Sequence, residues 1–457
     1  MIKTLHLTNA WHATSGGIST FYRALLAAAN QEGHLIRLVV PAESDGVERV
    51  GTCGLIYLVK ARQAPLNSSY RILLPDAFLR RNGAIRRILG EERPDLVEVC
   101  DKYTLPYLAG LLRERWLLGR EFRPVTVGLS CERMDENFAT YIGEGAWGEA
   151  FSRVYMKWLY FPMFDSHIAV SEHTANELAP ASRGHKVQRG VWVSPMGADC
   201  DRFRPARRVE AQRQALVAKC GGCERTTLLV YAGRLVAEKN LPLLADLMES
   251  LGADPDHDFR LLIAGEGVMR TSFEQFCRQK APGRVTFLGH MGDREELAGL
   301  YASADIFVHP NPREPFGIAP LEAMAAGLAV VAPRSGGVLS YATDQNAWLG
   351  PADANTFAGL VRSVVNDPER RQRKSEAARA TAEQYRWQSV ASRYLRLYHW
   401  LYALHRGARL EQPIAPRFYS TNGNWLGVEV SAATQSAPNK TILQKLFFKD
   451  SSYPHHL

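Results

Sequence analysis

NPREPFGIAPLEAMAAGLAVVAPRSGG, residues 311–337, carries the densest signal in this chain. Two carboxylates, Glu314 and Glu322, stand on either side of a Phe-Gly-Ile-Ala-Pro turn. A helix pattern runs through Leu321, Ala323, Met324, Ala325 and Ala326, stops at Gly327, and gives way to the apolar run 328–332. A loop that ends in a helix start offers unpaired N–H groups and a positive dipole end, which suits a phosphate. Carboxylates accept hydrogen bonds from neighbouring hydroxyls. The stretch therefore fits a ligand with both phosphates and sugar hydroxyls. On spacing alone it fits equally a first-turn acid that complements the helix dipole, with a solvated acid in the loop before it.

Outward from this stretch, short apolar runs alternate with helix-length patterns, as in parallel α/β architecture. Strands are predicted at 3–8, 36–40, 55–59, 95–99, 124–129 and 166–170 in the first half. In the second half they are predicted at 189–194, 227–232, 259–264, 284–288, 305–308 and 328–332. Helices fit at 18–31, 104–116, 241–251, 268–280, 293–302 and 319–326. Two βα arrays of similar size result. The Pro-, Gly- and Asp-rich VSPMGADCDRFRP, 193–205, reads as the linker between them. Trp387, Val390, Tyr394, Leu397, Tyr398 and Leu401 recur at helical spacing. Residues 407–457 lose the α/β rhythm and have the composition of an extension, disordered in part, in which TILQKLFFK (441–449) fits a short helix or a membrane-touching segment.

Several loops after the strands carry chemistry. In VYAGRLVAEKNLPLL (230–244), Arg234 and Lys239 lie between a strand end and a helix start, where parallel sheets bind ligands. A guanidinium and an ammonium suit a diphosphate, although a solvated pair with Glu238 has the same sequence. Gly265-Glu266 follows the next strand, and FLG at Phe287, Leu288 and Gly289 suits main-chain contacts to a base. His290 reads as a turn residue. Gly16-Gly17, after the first strand, lets backbone approach a ligand, or simply makes a tight turn. Neither a G-x-G-x-x-G fingerprint nor a Walker loop is present, which argues against a dinucleotide dehydrogenase or a P-loop ATPase.

Composition narrows the classes. With 457 residues and 46% hydrophobic content, the chain fits two folded domains plus extras. No apolar run approaches the roughly 20 residues that span a bilayer, and MIKTLHLTNAWHATSGG (1–17) reads as strand and turn rather than a cleavable signal. The expected location is cytoplasmic or peripheral on the inner face of a membrane. The net charge of +8 does not call for nucleic acid. Seven scattered cysteines, including the isolated Cys220/Cys223 pair, read as reduced thiols.

The ordered set AGRL, EKN, AGEG, FLG, DIFVHP and EPFGIAPLEAMAAGLAVVA resembles the retaining family-4 glycosyltransferases of the GT-B fold. The Glu-x7-Glu spacing of Glu314 and Glu322 matches, as do SPMGADCDRF at the junction and HIAVSEHTANEL before it. The resemblance covers residues 1–405 and is most specific in the second half. It implies two Rossmann-like βαβ domains facing across a cleft: an acceptor domain at 1–192 and a donor domain at 193–386. A crossover helix at 387–406 would return to the first domain, with the extension at 407–457. It implies a nucleotide-sugar donor and transfer of a hexose, glucose or mannose by family frequency. Glu314 would hold donor-sugar hydroxyls and Glu322 the ribose. Arg234 and Lys239 would neutralise the diphosphate. Gly265, Glu266, Leu288, Gly289 and the backbone at Phe316, Gly317, Ile318 and Leu321 would complete the cradle, with Gly16 and Gly17 closing over the phosphates. With two cations in that role, neither a metal nor another cofactor is expected.

One departure concerns the acceptor. Many members carry a histidine after the strand at 124–129, where this chain has Ser130, Cys131 and Glu132. Glu132, Arg133 and Asp135 are the acceptor candidates, or a plain polar loop. FLRRNGAIRRIL (78–89) and FSRVYMKWLYFPMF (151–164) mix apolar and basic residues. They fit light docking on anionic lipid, and a lipid-linked or polysaccharide acceptor in cell-envelope glycan synthesis, or else core helices with solvated arginines. A non-catalytic nucleotide-sugar-binding protein and a GT-B epimerase are the competing classes.

Overall fold

The computed structural model describes residues 2–12, 16–64, 67–142, 146–182, 190–406, 417–419 and 425–427. Its strands, in chain order, are β1 (Lys3–Thr8), β2 (Leu35–Ala42), β3 (Gly46–Val50), β4 (Gly54–Lys60), β5 (Arg62–Ala64), β6 (Asn67–Ile72), β7 (Leu96–Cys100), β8 (Val125–Ser130), β9 (Ser166–Ala169), β10 (Val191–Val193), β11 (Thr226–Ala232), β12 (Asp258–Ala264), β13 (Val285–Gly289), β14 (Ile306–Val308), β15 (Ala329–Pro333), β16 (Trp348–Gly350), β17 (Arg417–Tyr419) and β18 (Trp425–Gly427). Two compact units form. One takes Met1–Asp135, Ala146–Ser194 and Ala391–Leu457, the other Glu136–Gly145 and Pro195–Val390.

In the first unit the main sheet has the order β18-β17-β10-β9-β8-β7-β1-β2-β4-β3. Its interior pairs are parallel, with Leu5 opposite Arg37 on one side and Val97 on the other. Every residue of β7 and β8 is buried, the mark of strands covered on both faces. Helix Gly17–Glu32 buries Phe21, Tyr22, Leu25, Leu26, Ala28 and Ala29 on one face. It stops at Gly33, whose left-handed backbone (φ 78°) lets its N–H return to the Ala29 carbonyl. Each buried Leu or Phe contributes about 1.5–3 kcal/mol.

One carboxylate interrupts this apolar interior. Glu98 on β7 is fully buried. It accepts hydrogen bonds from Tyr22 Oη at 3.0 Å and from Tyr398 Oη, and pairs with His6 Nδ1 at 2.9 Å. The partners come from β1, helix Gly17–Glu32 and helix Trp387–Arg406. Buried polar groups persist when satisfied in this way.

Sequence expectation and structure differ in four places. The strand at 189–194, grouped with the second array, is β10 and pairs in parallel with β9 in the first sheet. Glu136–Gly145 belongs to the second unit, not to the first domain as the 1–192 boundary had it. The segment 78–89 is two helices, Asp76–Leu79 and Ala84–Glu92, because Arg80 turns extended and Gly83 restarts the chain. The extension supplies β17 and β18, an antiparallel pair on the sheet edge; the 441–449 stretch lies outside the described residues.

The second unit holds a six-stranded parallel sheet of order β13-β12-β11-β14-β15-β16. β14 and β15 are wholly buried, and helix Pro242–Gly252 seats Leu243, Leu244, Leu247, Met248 and Leu251 in the core. Proline at its first position suits a helix start, where the N–H is unpaired anyway.

Candidate donor and acceptor sites

Strand order points to a candidate site in the second unit. From β11 the chain adds β12 and β13 on one side, then crosses to add β14, β15 and β16 on the other. Loops leaving neighbouring strands in opposite directions open a crevice at the carboxyl ends, where open α/β sheets bind ligands. Here that point lies between β11 and β14. The loop after β11 carries Arg234 and Lys239, and the loop after β14 carries Glu314.

Lys239 and Glu314 meet there, with Nζ 2.7 Å from Oε2. Asn311 Nδ2 donates to the same oxygen at 3.0 Å, and His309 Nε2 lies 3.9 Å from it. Among the described hydrogen bonds none goes to Oε1. Burial works against the Glu314 carboxylate, but the Lys239 ammonium and the hydrogen bonds outweigh it and hold its pKa down to about 2. Burial also dominates at His309, and with Lys239 nearby it lowers the imidazole to about 4 despite Glu314. At neutral pH Glu314 is thus a carboxylate and His309 an uncharged imidazole. Asn240, in a left-handed conformation (φ 51°), donates to the Pro310 carbonyl at 3.0 Å and ties the two loops together. Arg234 reaches Glu238 at 2.6 Å and keeps 41% of its side chain exposed.

Glycines set the rim. A Cβ on Gly265 would lie 1.9 Å from the Gly233 carbonyl oxygen, and one on Gly267 would lie 2.3 Å from that of Leu235. The loops after β11 and β12 therefore run with their main chains in contact, which residues with side chains forbid. The Gly265 N–H donates to the Gly289 carbonyl at 2.8 Å and brings in the end of β13. Glu266 is 44% exposed and paired with Arg270, whose guanidinium lies over the Phe287 ring. Leu288 and Gly289 are half-buried, and His290 is exposed.

Helix Ile318–Ala325 begins at Gly317, held at φ 88° with its carbonyl accepting from Tyr341 Oη. Phe316 and Leu321 are buried, so only main-chain groups remain to face a ligand there. Glu322 is also buried, and both its oxygens are paired with Arg294. Burial raises its pKa against that pairing. Arg294 in turn lies 4.9 Å over the Phe203 ring. Arg294, Asn311 and His309 escaped the sequence reading. His309 was visible in DIFVHP as a polar residue on a strand end; nothing local marks Arg294.

In the first unit, Gly16 precedes and Gly17 begins helix Gly17–Glu32 after β1, beside the point where β1 separates β2 from β7. Arg133 and Asp135 pair with each other at 2.6 Å, and Arg133 also donates to the His173 carbonyl at 2.9 Å. Buried Glu177 accepts from the Met134 N–H at 2.6 Å and pairs with Lys102, which also donates to the Glu132 carbonyl. The candidate acceptor loop is thereby pinned from beneath. Cys131 Sγ lies 3.6 Å from Cys100 Sγ.

Two family models match, "Glycosyltransferase Family 4" over residues 15–202 and "Glycosyl transferases group 1" over 215–381. A GDP-mannose-dependent alpha-(1-6)-phosphatidylinositol dimannoside mannosyltransferase of Mycobacterium tuberculosis is 31% identical over 395 residues, covering 86% of this chain and 95% of the relative. The chain belongs to glycosyltransferase family 4. As a family-4 glycosyltransferase it is a retaining enzyme that moves a hexosyl group from a nucleotide-sugar donor in glycan synthesis. Sulfoquinovosyl transferase SQD2 of Arabidopsis thaliana is 29% identical over 257 residues, covering 53% of this chain and 48% of that one. Among solved structures, sucrose-phosphate synthase from Thermosynechococcus elongatus superposes with TM-score 0.68 at 19% identity, over 88% of this chain and 99% of the other. Anabaena Alr3699/HepE in complex with UDP and glucose superposes with TM-score 0.62 at 16% identity, over 87% and 100%. The fold of this family-4 enzyme is GT-B.

Proposed function

We propose that this enzyme transfers a mannosyl group from GDP-mannose to a lipid-linked or glycan acceptor of a cell envelope. The mycobacterial mannosyltransferase, similar along most of the chain, supports mannose ahead of glucose. The observation that carries the catalytic part is the Lys239–Glu314 pair at the β11/β14 crossing.

In this proposal Lys239 turns from Glu314 to the donor diphosphate, joined by Arg234. The bond from the anomeric carbon to the diphosphate breaks, and a bond to the acceptor oxygen forms on the same face. The acceptor proton passes to the departing phosphate. Negative charge grows on that phosphate in the transition state, and cations already in place lower the barrier. The two side chains fill the role of a divalent cation, so no metal is needed. Glu314 accepts from sugar hydroxyls through Oε1, and Glu322, fixed by Arg294, faces the ribose. Gly265, Glu266, Leu288, Gly289 and the main chain at 316–318 hold base and phosphates. Gly16 and Gly17 serve the phosphates, and Glu132, Arg133 and Asp135 serve the acceptor.

A thermal-shift screen of GDP, UDP and ADP checks the donor side. At 100 times its dissociation constant the right nucleotide stabilises by about 2.7 kcal/mol, and GDP is expected to lead. Stabilisation by UDP alone would move the donor to a uridine sugar. No response to any of the three, with no transfer from GDP-mannose, would leave the proposal without a donor.

Contact with an anionic bilayer belongs to the same proposal. Among the described residues no helix is long and apolar enough to cross a membrane. In the helical stretch 146–160, Ser152, Met156 and Tyr160 face inward, while Phe151, Val154, Trp158 and Leu159 are exposed, Trp158 by 69%. Arg153 and Lys157 flank that stripe. Exposed apolar residues with cations beside them suit an anionic interface, and Trp favours the headgroup level. Flotation with phosphatidylglycerol-containing vesicles at low salt is expected to carry the protein upward, and Trp158→Ser to weaken this. Absence of binding at low salt rules the contact out.

A further inference from the structure

His309 has no place yet. It directly follows the central strand β14, and its main-chain N–H donates to the Val331 carbonyl at 2.9 Å. The side chain is buried. Among the described residues its Nε2 has no hydrogen-bond partner, and it lies 3.9 Å from Glu314 Oε2, too far for a bond. Buried polar atoms are nearly always paired, so an orphan beneath the reacting cluster calls for a cause.

The cause lies in a conflict at Glu314. Lys239 neutralises this carboxylate across 2.7 Å. Under the proposed function, on which this inference rests, the same ammonium is needed at the diphosphate. Once it turns away, Glu314 is left with Asn311 alone, and a buried carboxylate without a cation is strongly disfavoured. The other charged groups around the cluster do not resolve this. Glu238 lies 4.0 Å from Lys239 and is held by Arg234. Tyr231 and Tyr341 are buried phenols whose ionisation is pushed up by burial and by Glu314, so they stay neutral. Among the described residues His309 is the remaining titratable group in reach.

We propose that His309 is a positioning residue that takes over Glu314 when Lys239 engages the diphosphate, picking up one proton from solvent as it does so. Burial, the larger cause of the imidazole's neutrality, remains, but the departing ammonium removes the repulsion that adds to it, and the carboxylate charge it uncovers attracts the proton. Glu314 is then held in place for the sugar by a charged hydrogen bond rather than by the cation it has lost. Donor binding and protonation become linked, and each favours the other.

Calorimetry of GDP binding in two buffers of different ionisation enthalpy reads this directly, because GDP carries the diphosphate without the sugar. Between pH 6 and 8 the wild type is expected to take up more protons than His309→Gln, by as much as one per site, and its affinity is expected to fall more steeply with pH, by up to about tenfold per unit. The ionisation of GDP itself is common to both proteins. Glutamine keeps an N–H donor without a titration, so His309→Gln should retain transfer within roughly tenfold of the wild type while its pH profile flattens; leucine at this position should lose more. If the glutamine variant does not fold, His309→Asn makes the same comparison. Equal proton uptake and parallel pH dependence in wild type and variant overturn the proposal. Lys239→Ala separates the two layers. If it binds GDP as tightly as the wild type, the placement of Lys239 on the diphosphate fails; if it loses GDP affinity while His309→Gln matches the wild type, only the role of His309 fails. UDP replaces GDP throughout if UDP is the nucleotide that stabilises the protein.

Discussion

Lys239→Ala is expected to slow sugar transfer by about 10²- to 10³-fold while the protein stays folded. Loss of one preorganised group that meets transition-state charge costs this much in other enzymes. The side chain is 16% exposed and lies at the edge of the crevice rather than in the core, so its removal opens no large cavity. Its partner gives a smaller effect of a different kind. Glu314→Gln keeps shape and the Asn311 neighbourhood but removes the charge that strengthens hydrogen bonds to hydroxyls, worth about 1.5–3 kcal/mol, or roughly 10- to 100-fold in kcat/KM. The glutamine variant should lose discrimination between nucleotide sugars while still binding the bare nucleotide. Arginine at 239 should restore little, since its planar fork cannot replace a compact ammonium. Steady-state transfer assays alongside circular dichroism read all three; near-wild-type turnover by Lys239→Ala would remove this residue from catalysis.

Gly265→Ala is expected to destabilise the second unit by about 3 kcal/mol. The new methyl would meet the Gly233 carbonyl oxygen at 1.9 Å. That atom is main chain, bound into the loop after β11, and cannot swing aside as a side-chain tip can. Relief requires parting the two loops, which breaks the Gly233 N–H bond to Ala264 (3.0 Å) and the Leu235 N–H bond to Glu266 (2.9 Å). These loops carry Arg234 and Glu266, so nucleotide affinity should fall along with stability. Gly16→Ala provides the contrast, since a Cβ there meets nothing within 4 Å. Urea denaturation of both variants tests the pair, and a Gly265→Ala protein with unchanged midpoint would show that the rim is not close-packed.

Much of this architecture is legible along the chain. Strands buried on both faces read as mainly apolar runs, so β7, β8, β11, β12, β14 and β15 are predicted within a residue or two. Helix Ile318–Ala325 is equally plain, because Gly317 and Gly327 bracket its apolar stretch. What the chain does not display is pairing. β10 sits at the junction, and only its register against β9 assigns it to the first sheet. The 78–89 segment keeps a helical period across a break that only backbone angles reveal. The same holds at the site. Lys239 and Glu314 stand out singly beside glycine turns, but their contact spans 75 positions and depends on strand order. Arg294 reaches Glu322 across 28 positions from the first turn of helix Arg294–Ser303, where a basic residue attracts no notice.

The Glu98 cluster has a consequence for the order in which a growing polypeptide can complete itself. One of its three partners, Tyr398, is made 300 residues after it. A nascent chain with residues 1–194 clear of the ribosome has strands β1 to β10, His6 and Tyr22, yet it lacks the helix that covers this carboxylate. Leaving such a group short of a partner costs about 1–3 kcal/mol, so the sheet stays incompletely sealed. The second unit ends at Val390 and has all its parts first. Translation therefore finishes the later unit before the earlier one, and helix Trp387–Arg406 closes the work of the first strand.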